Sequence, residues 1–467
     1  LLLAEPAGGA ATLDSSTPYL GAGHLRPPLT AHRDAGLVRG IGLLGLAANV
    51  VNGVVGVSIF TLPAAVALEC GGAAPMAYLA CAVIMAGVTA CFAEAGSRVP
   101  TSGGAYGTVE AAFGPAAGFV TGMLLVVSDV LASGGVAAAI ADLAGSVVPV
   151  LGVGFGRTGV MLAIYAALSW ANLVGVRTTA RLIAGATALK LAPLALFILL
   201  GVLSIGQVAP DGPPPTPITL AGFGRGLILT MFAFSGMECA LGASGEVRDP
   251  ARTLPRALFL GMVFVLALYL GVQLSAQHLL GTALAQEAAP LAAAAGRMSA
   301  PARLVMLAGG GLSMLAWMAG DVLGTSRMVF AMARDGRLPA WLGHLQPRSR
   351  VPARAVLVYV AAGFILAMTG SFLELVVLSS LAIVAVYILA CAAAWMLRRR
   401  DVARAGTPLR VPGLGVAVGV SLLGMAGMIF SASRAEVGGL AALIAGSLGL
   451  YEIMRRVKTE RSPMWPP

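Results

Sequence analysis

Asn49-Val50-Val51-Asn52-Gly53-Val54-Val55-Gly56-Val57-Ser58-Ile59-Phe60 lies inside an apolar run over residues 41–66. Such a run is long enough to cross a bilayer, which takes about 20 apolar residues in a helix. Its middle nevertheless carries asparagines, glycines and a serine. A second run, residues 223–244, is interrupted in the same way by Phe232-Ala233-Phe234-Ser235-Gly236-Met237-Glu238. Unwinding a helix in hydrocarbon frees N–H and C=O groups that lipid cannot satisfy. They require a ligand, an ion or water. Half-helix N-termini suit a carboxylate, and free carbonyls suit an ammonium group or a cation. A pair of breaks therefore suits a zwitterion. One glycine motif would equally serve close helix packing. Two, at matched positions and flanked by Asn, Ser and Glu, point to a site.

The surrounding composition is that of an all-α membrane protein. The 467 residues are 58% hydrophobic and 11% charged, with mean hydropathy +0.89, whereas soluble domains carry about 25% charged residues. The hydropathy pattern predicts twelve spans, at 41–66, 75–96, 117–138, 160–176, 182–206, 223–244, 256–279, 302–332, 354–370, 372–397, 413–431 and 437–455. The fourth and ninth are short, and the eighth is long enough to project into the cytoplasm. Breaks in the first and sixth spans divide the chain into a 5+5 inverted repeat, spans 1–5 and 6–10, with two extra helices outside it. On this reading residues 1–38 are a cytoplasmic tail, 39–455 one transporter domain and 456–467 a second cytoplasmic tail. The longest outer loops, 207–221 with Pro213-Pro214-Pro215 and 277–301, are too short to fold alone.

A net charge of +10 raises a nucleic-acid role, but the distribution argues against it. Apart from Lys190, only Arg157, Arg225, Arg297, Arg303 and Arg434 fall on the odd-loop side. The remaining basic residues lie in the tails and even loops. That is the positive-inside pattern, with both termini cytoplasmic and basic side chains available to anionic lipid. The Ala-, Gly- and Arg-rich composition points to a bacterial inner membrane. Cys70, Cys81, Cys91, Cys239 and Cys391 are scattered and lack metal-ligand spacing, as small helix fillers would be. His24, His32, His278 and His344 are not paired at metal spacing. A phosphate-loop motif is absent, and no strand precedes the glycine clusters. No enzyme, metal or cofactor is indicated.

Lys190 is one of only two lysines, the other being Lys458 near the end of the chain. It interrupts the apolar stretch Leu182–Leu200. A lysine at that depth costs roughly 2.5–3.5 kcal/mol on insertion scales, and such ions mark transport pathways and proton relays. Glu238, just past the second break, is placed to carry a proton or to tie the break to neighbouring helices. Asp129 is a candidate to face the pathway, and Asp142 belongs nearer the outer interface. Asn49, Asn52, Asn172, Gln273 and Gln277 either line the pathway or bond between helices.

Five motifs then carry a family resemblance. They are Gly56-Val57-Ser58-Ile59-Phe60 with Leu62-Pro63; Glu94-Ala95-Gly96-Ser97-Arg98-Val99-Pro100-Thr101-Ser102-Gly103-Gly104-Ala105-Tyr106 with Phe113-Gly114; and Asn172-Leu173-Val174-Gly175-Val176-Arg177 with Lys190. The others are the sixth-span break with Gly245-Glu246-Val247-Arg248-Asp249-Pro250, and Thr325-Ser326-Arg327 with Ala333-Arg334-Asp335-Gly336-Arg337-Leu338-Pro339. In order and spacing the chain resembles the amino acid–polyamine–organocation (APC) superfamily of permeases over about residues 40 to 400. The resemblance implies transport of amino acids or related amines by alternating access, often with protons. It implies substrate contacts at Gly53, Gly56, Val57, Ser58, Phe232, Ser235, Gly236 and Asp321, and proton coupling at Lys190 and Glu238. Lys190 resembles a built-in sodium ion, its ammonium filling a cation site beside the first break. Phe232 matches an aromatic that closes over substrate, and a carboxylate at Asp321 favours an amine-bearing ligand. The chain departs from the family at Gly56-Val57-Ser58, where Val57 removes a hydroxyl and Ser58 replaces a glycine. Proton symport, obligate exchange and a non-transporting sensor on the same fold all fit this sequence.

Overall fold

A computed structural model of the chain describes residues 42–99, 104–174, 176–206, 218–238, 247, 249–346, 351–404 and 407–461. The N-terminal tail 1–38, the link residues Thr101-Ser102-Gly103, the Pro213–Pro215 loop and most of the Gly245–Arg248 motif lie outside the described residues. The described chain is helical throughout: α1 (Leu43–Val54), α2 (Ser58–Cys70), α3 (Ala74–Arg98), α4 (Gly104–Phe113), α5 (Pro115–Gly145), α6 (Gly154–Val174), α7 (Val176–Leu203), α8 (Leu220–Phe234), α9 (Pro250–Leu280), α10 (Pro290–Gly296), α11 (Ala300–Arg334), α12 (Ala353–Thr369), α13 (Phe372–Arg399), α14 (Leu414–Ser431) and α15 (Arg434–Arg461). Among the described residues seven stretches are long and apolar enough to cross a membrane, and α1, α8, α12 and Lys190–Leu203 are shorter apolar segments.

Burial orders these helices. The most apolar window of α5 is 83% buried and that of α13 is 72%, against 28% for α14 and 11% for α15. The first pair forms the centre and packs together, with α4, α11 and α12 also against α5. The second pair leaves large apolar side chains such as Leu423 and Phe430 exposed, as a lipid-facing surface requires. Helix starts follow local chemistry. Thr219 caps α8 by accepting from Gly222 N at 3.0 Å, and Ser371 with Glu374 makes a capping box at the start of α13.

Two lengths differ from the sequence reading. α6 begins at Gly154 and has 21 residues, so the helix is longer than the apolar stretch 160–176 read from the sequence. Its first turn is polar, with Arg157 Nε donating to Asp142 Oδ1 at 3.2 Å, and hydropathy passes over such a turn. α15 runs on to Arg461, past residue 455, because Glu452 accepts from Arg455 at 2.9 Å and Arg456 at 3.1 Å across one helical turn.

The motif beginning at Glu94 fastens the C-terminal end of α3. Glu94 is 0% exposed. It accepts from Arg98 Nε at 3.0 Å, Arg398 Nη1 at 3.3 Å and Val411 N at 2.9 Å. Arg404 N donates to Arg98 O at 2.8 Å and Leu409 N to Ser97 Oγ at 3.0 Å. Arg404, Leu409 and Val411, which lie between α13 and α14, are thereby held on α3.

Candidate functional site

Both expected breaks are present. α1 ends at Val54 and α2 starts at Ser58, with Val55 capping back to Val51 O. α8 ends at Phe234, and the chain turns through Ser235, Gly236 and Met237 before Glu238. The two breaks touch. Gly236 has φ +109°, and a Cβ there would stand 2.5 Å from Gly53 O. Only a glycine lets the second break lie this close to the backbone of the first.

Carbonyls freed by the first break are taken up by side chains from other helices. Lys190 Nζ, 2% exposed, donates to Asn52 O at 3.0 Å, Asn52 Oδ1 at 2.7 Å and Val55 O at 2.5 Å. Tyr269 on α9 donates its hydroxyl to Val54 O at 2.9 Å. Ser313 on α11 donates to Gly56 O at 3.3 Å. Three helices distant in sequence thus converge on residues 52–56. An ammonium has three donors, and each N–H of Lys190 has an oxygen here. Its charge is met by peptide and amide dipoles, with no carboxylate among these partners.

With those acceptors engaged, the first break is left offering donors. Ser58 and Ile59 open α2, where backbone N–H groups have no intrahelical acceptor. The side chains there are otherwise occupied. Val57 is 2% exposed and packs in the core. The Ser58 hydroxyl lies 3.2 Å from that of Tyr269.

The second break is organised by Glu238. Its Oε2 accepts from Gly236 N at 3.0 Å and from the Tyr387 hydroxyl at 2.6 Å. Ser235 Oγ and N both donate to Phe232 O, at 2.8 and 3.3 Å. Phe232 itself is 6% exposed.

Asp321 is placed apart from these contacts. It accepts from the Tyr359 hydroxyl, and Thr325 Oγ1 lies 3.5 Å from its Oδ1 and 2.6 Å from Asp129 Oδ2. One hydroxyl therefore links Asp129 and Asp321. Ser313, Trp317, Asp321 and Thr325 recur every four residues, so they share one face of α11. Trp317 on this face covers the first break, because a Cβ on Gly56 would meet its Cδ1 at 2.6 Å. Asn52 is a partner of Lys190. Asn172 bonds back to its own helix, at Leu168 O, while Gln273 and Gln277 bond across to Pro63 O and Gly71 O.

Tyr269, Ser313, Trp317 and Tyr387 were missed by the sequence reading. The four-residue spacing from Ser313 to Thr325 was the available signal for two of them. Tyr269→Phe is expected to lower stability by about 1–3 kcal/mol, the range for leaving a buried carbonyl unpaired, here Val54 O. Ser58→Ala keeps that carbonyl paired, and its effect is expected below about 1 kcal/mol. Thermal unfolding of the two purified variants checks the order.

Residues 41–446 match the family model described as amino acid permease. This chain belongs to that family. The expected membership of the APC superfamily therefore holds. Similar proteins include an uncharacterized transporter of Mycobacterium tuberculosis, 30% identical over 438 residues that cover 91% of this chain and 93% of that protein. The serine/threonine exchanger SteT of Bacillus subtilis is 28% identical, covering 79% of this chain and 85% of its own length. The branched-chain amino acid permease BcaP of Lactococcus lactis is 27% identical, with 75% and 80% covered.

Proposed function

We propose that the chain is a secondary transporter that carries amino acids across a bacterial inner membrane with protons, by alternating access. It would have twelve membrane helices in a 5+5 inverted repeat plus two, with both termini cytoplasmic. The observation that carries the reading is the Lys190 ammonium seated on Asn52 and Val55 at the first break. A cation held there links the break to α7, and a proton gained or lost by that amine changes the link. A ligand or proton shifts a conformational equilibrium only by its differential affinity for the two states. A titrating group bonded to the break meets that condition.

The substrate's carboxylate would meet the α2 N-terminus at Ser58 and Ile59. Its amine would meet carbonyls that follow Phe232, since Phe232 O already accepts from Ser235. Glu238 would pass conformational or proton changes between Gly236 and Tyr387. Tyr387→Phe is expected to reduce uptake several-fold, by removing a hydrogen bond of about 0.5–1.5 kcal/mol, while the protein still folds.

The test is uptake of radiolabelled amino acids into proteoliposomes. An imposed inward proton gradient should drive accumulation without internal substrate. A strict need for internal amino acid, with no response to the gradient, would replace symport by exchange. That second reading is favoured by the relative named as a serine/threonine exchanger. The failure of every amino acid tested to be taken up under either condition would overturn both.

A further inference from the structure

The junction of α13 and α14 carries charge that the site above does not use. Residues 398–410 hold five arginines against one acid, Asp401. Several of these arginines are engaged within the protein. Arg398 is bonded to the buried Glu94, Arg400 Nη1 donates to Ala112 O at 3.0 Å, and Arg410 Nη2 meets Asp401 Oδ1 at 3.1 Å. Arg399 differs. It is exposed and makes no ion pair with any described residue. Its Cζ lies 4.9 Å from the centre of the Trp395 ring, a contact that holds the cation by the ring's quadrupole.

Trp395 brings this cation to the start of α14. A Cβ on Gly415 would stand 3.3 Å from Trp395 Cζ3, so the first turn of α14 packs on the indole. No acidic side chain occupies that turn. An apolar stripe runs on from it. Val416, Val420, Leu423 and Phe430 are 72%, 39%, 76% and 90% exposed, and steps of four, three and seven residues put them on one helix face. Gly427, in the same row, has nothing within 4 Å of the place a Cβ would take. From Val416 to Phe430 the helix rises about 21 Å, more than the roughly 15 Å of hydrocarbon in one leaflet.

We propose that the α13–α14 junction binds one anionic glycerophospholipid, with its phosphate at Arg399 and an acyl chain along the Val416–Phe430 face. The two ends of the surface select this occupant. An apolar helix face alone accepts any lipid, but a cation at its head, backed by a surplus of arginine, favours a negative headgroup. A guanidinium also grips phosphate with two parallel bonds, and a tryptophan at the water–hydrocarbon boundary fixes the depth. A soluble phosphate would meet the charge and leave the apolar face bare. A zwitterionic lipid would cover the face and gain little from the charge. The headgroup site is preformed, because Arg398 and Val411 are bonded to Glu94 on α3. The inference needs the chain to sit in a membrane and is independent of what it carries.

The experiment unfolds the purified full chain thermally in a neutral detergent with added phosphatidylglycerol, phosphatidylcholine or inorganic phosphate. Phosphatidylglycerol should raise the melting temperature, the other two should not, and the shift should shrink at high salt as the headgroup attraction is screened. Native mass spectrometry should show phosphatidylglycerol bound about five-fold more weakly by Arg399→Gln, the factor for one arginine at an anionic surface. Equal shifts from the two lipids, a shift reproduced by inorganic phosphate, or undiminished binding by Arg399→Gln would overturn the site. Its position is read on the wild type, so a variant that fails to fold does not leave the proposal untested. A phosphatidylglycerol with a photoreactive acyl chain should label α14 between residues 416 and 430. Label confined to other helices, or cross-links between two copies of the chain through that face in place of lipid, would also overturn it. None of these readouts involves uptake, so a failure here is distinct from a failure of the transport reading.

Discussion

Lys190→Ala is expected to abolish uptake and to lower stability by about 3–5 kcal/mol, the range for removing one partner of a buried charged contact. The argument rests on what remains. Asn52 O, Asn52 Oδ1 and Val55 O lose the ammonium they share, and each buried acceptor left alone costs about 1–3 kcal/mol. Lys190→Arg should not restore uptake, because a planar guanidinium cannot aim three bonds from one nitrogen as an ammonium does. Three oxygens gathered at a helix break also resemble a cage for a small hard cation. Sodium should therefore raise the melting temperature of Lys190→Ala and leave the wild type unmoved. Saturating ion at 100 times its Kd would return about 2.7 kcal/mol. Wild-type uptake in Lys190→Ala, with a melting temperature indifferent to sodium, would remove Lys190 from the mechanism.

The breaks and the buried amine were legible in the sequence because lipid makes them expensive. Polar residues and glycines at the middle of an apolar run have few uses, and a lone lysine there has fewer. The partners of those features were not legible. Tyr269, Ser313 and Tyr387 are ordinary residues of apolar helices, and only the packing of α9, α11 and α13 against the breaks brings them to Val54, Gly56 and Glu238. The sequence shows Ser58 where the family has a glycine, but not that its hydroxyl lies against Tyr269. Asp321 was visible as an intramembrane acid, while its link to Asp129 through Thr325 joins helices far apart in the chain. Helix ends followed a similar division. The start of α13 at Phe372 coincides with the sequence expectation, because the capping box at Ser371 and Glu374 is local. The ends of α6 and α15 moved, because ion pairs and not hydropathy extend them.

Gly236→Ala is expected to be more damaging than Gly56→Ala, although each glycine sits at a break. At Gly236 two penalties combine. Its φ of +109° is a backbone conformation that side-chain-bearing residues rarely adopt, worth about 1–3 kcal/mol. The added Cβ would also stand 2.5 Å from Gly53 O and 2.8 Å from Gly53 C. Those atoms are backbone, so relief requires moving the first break, which Lys190, Tyr269 and Ser313 hold in place. A loss of about 4 kcal/mol or more follows, in the range reserved for named structural defects, and uptake should vanish with it. At Gly56 the obstacle is the Trp317 side chain, 2.6 Å away. An indole can shift, so Gly56→Ala should cost about 1–3 kcal/mol, as overpacking does. Trp317→Leu should recover part of that loss, and it should recover nothing in Gly236→Ala. Unfolding in detergent and uptake in proteoliposomes, measured on the same four variants, separate the two cases. Normal folding and uptake by Gly236→Ala would mean that the breaks do not meet backbone to backbone. If they do meet, neither break can change shape without the other, and a ligand that grips one end of the pair acts on both.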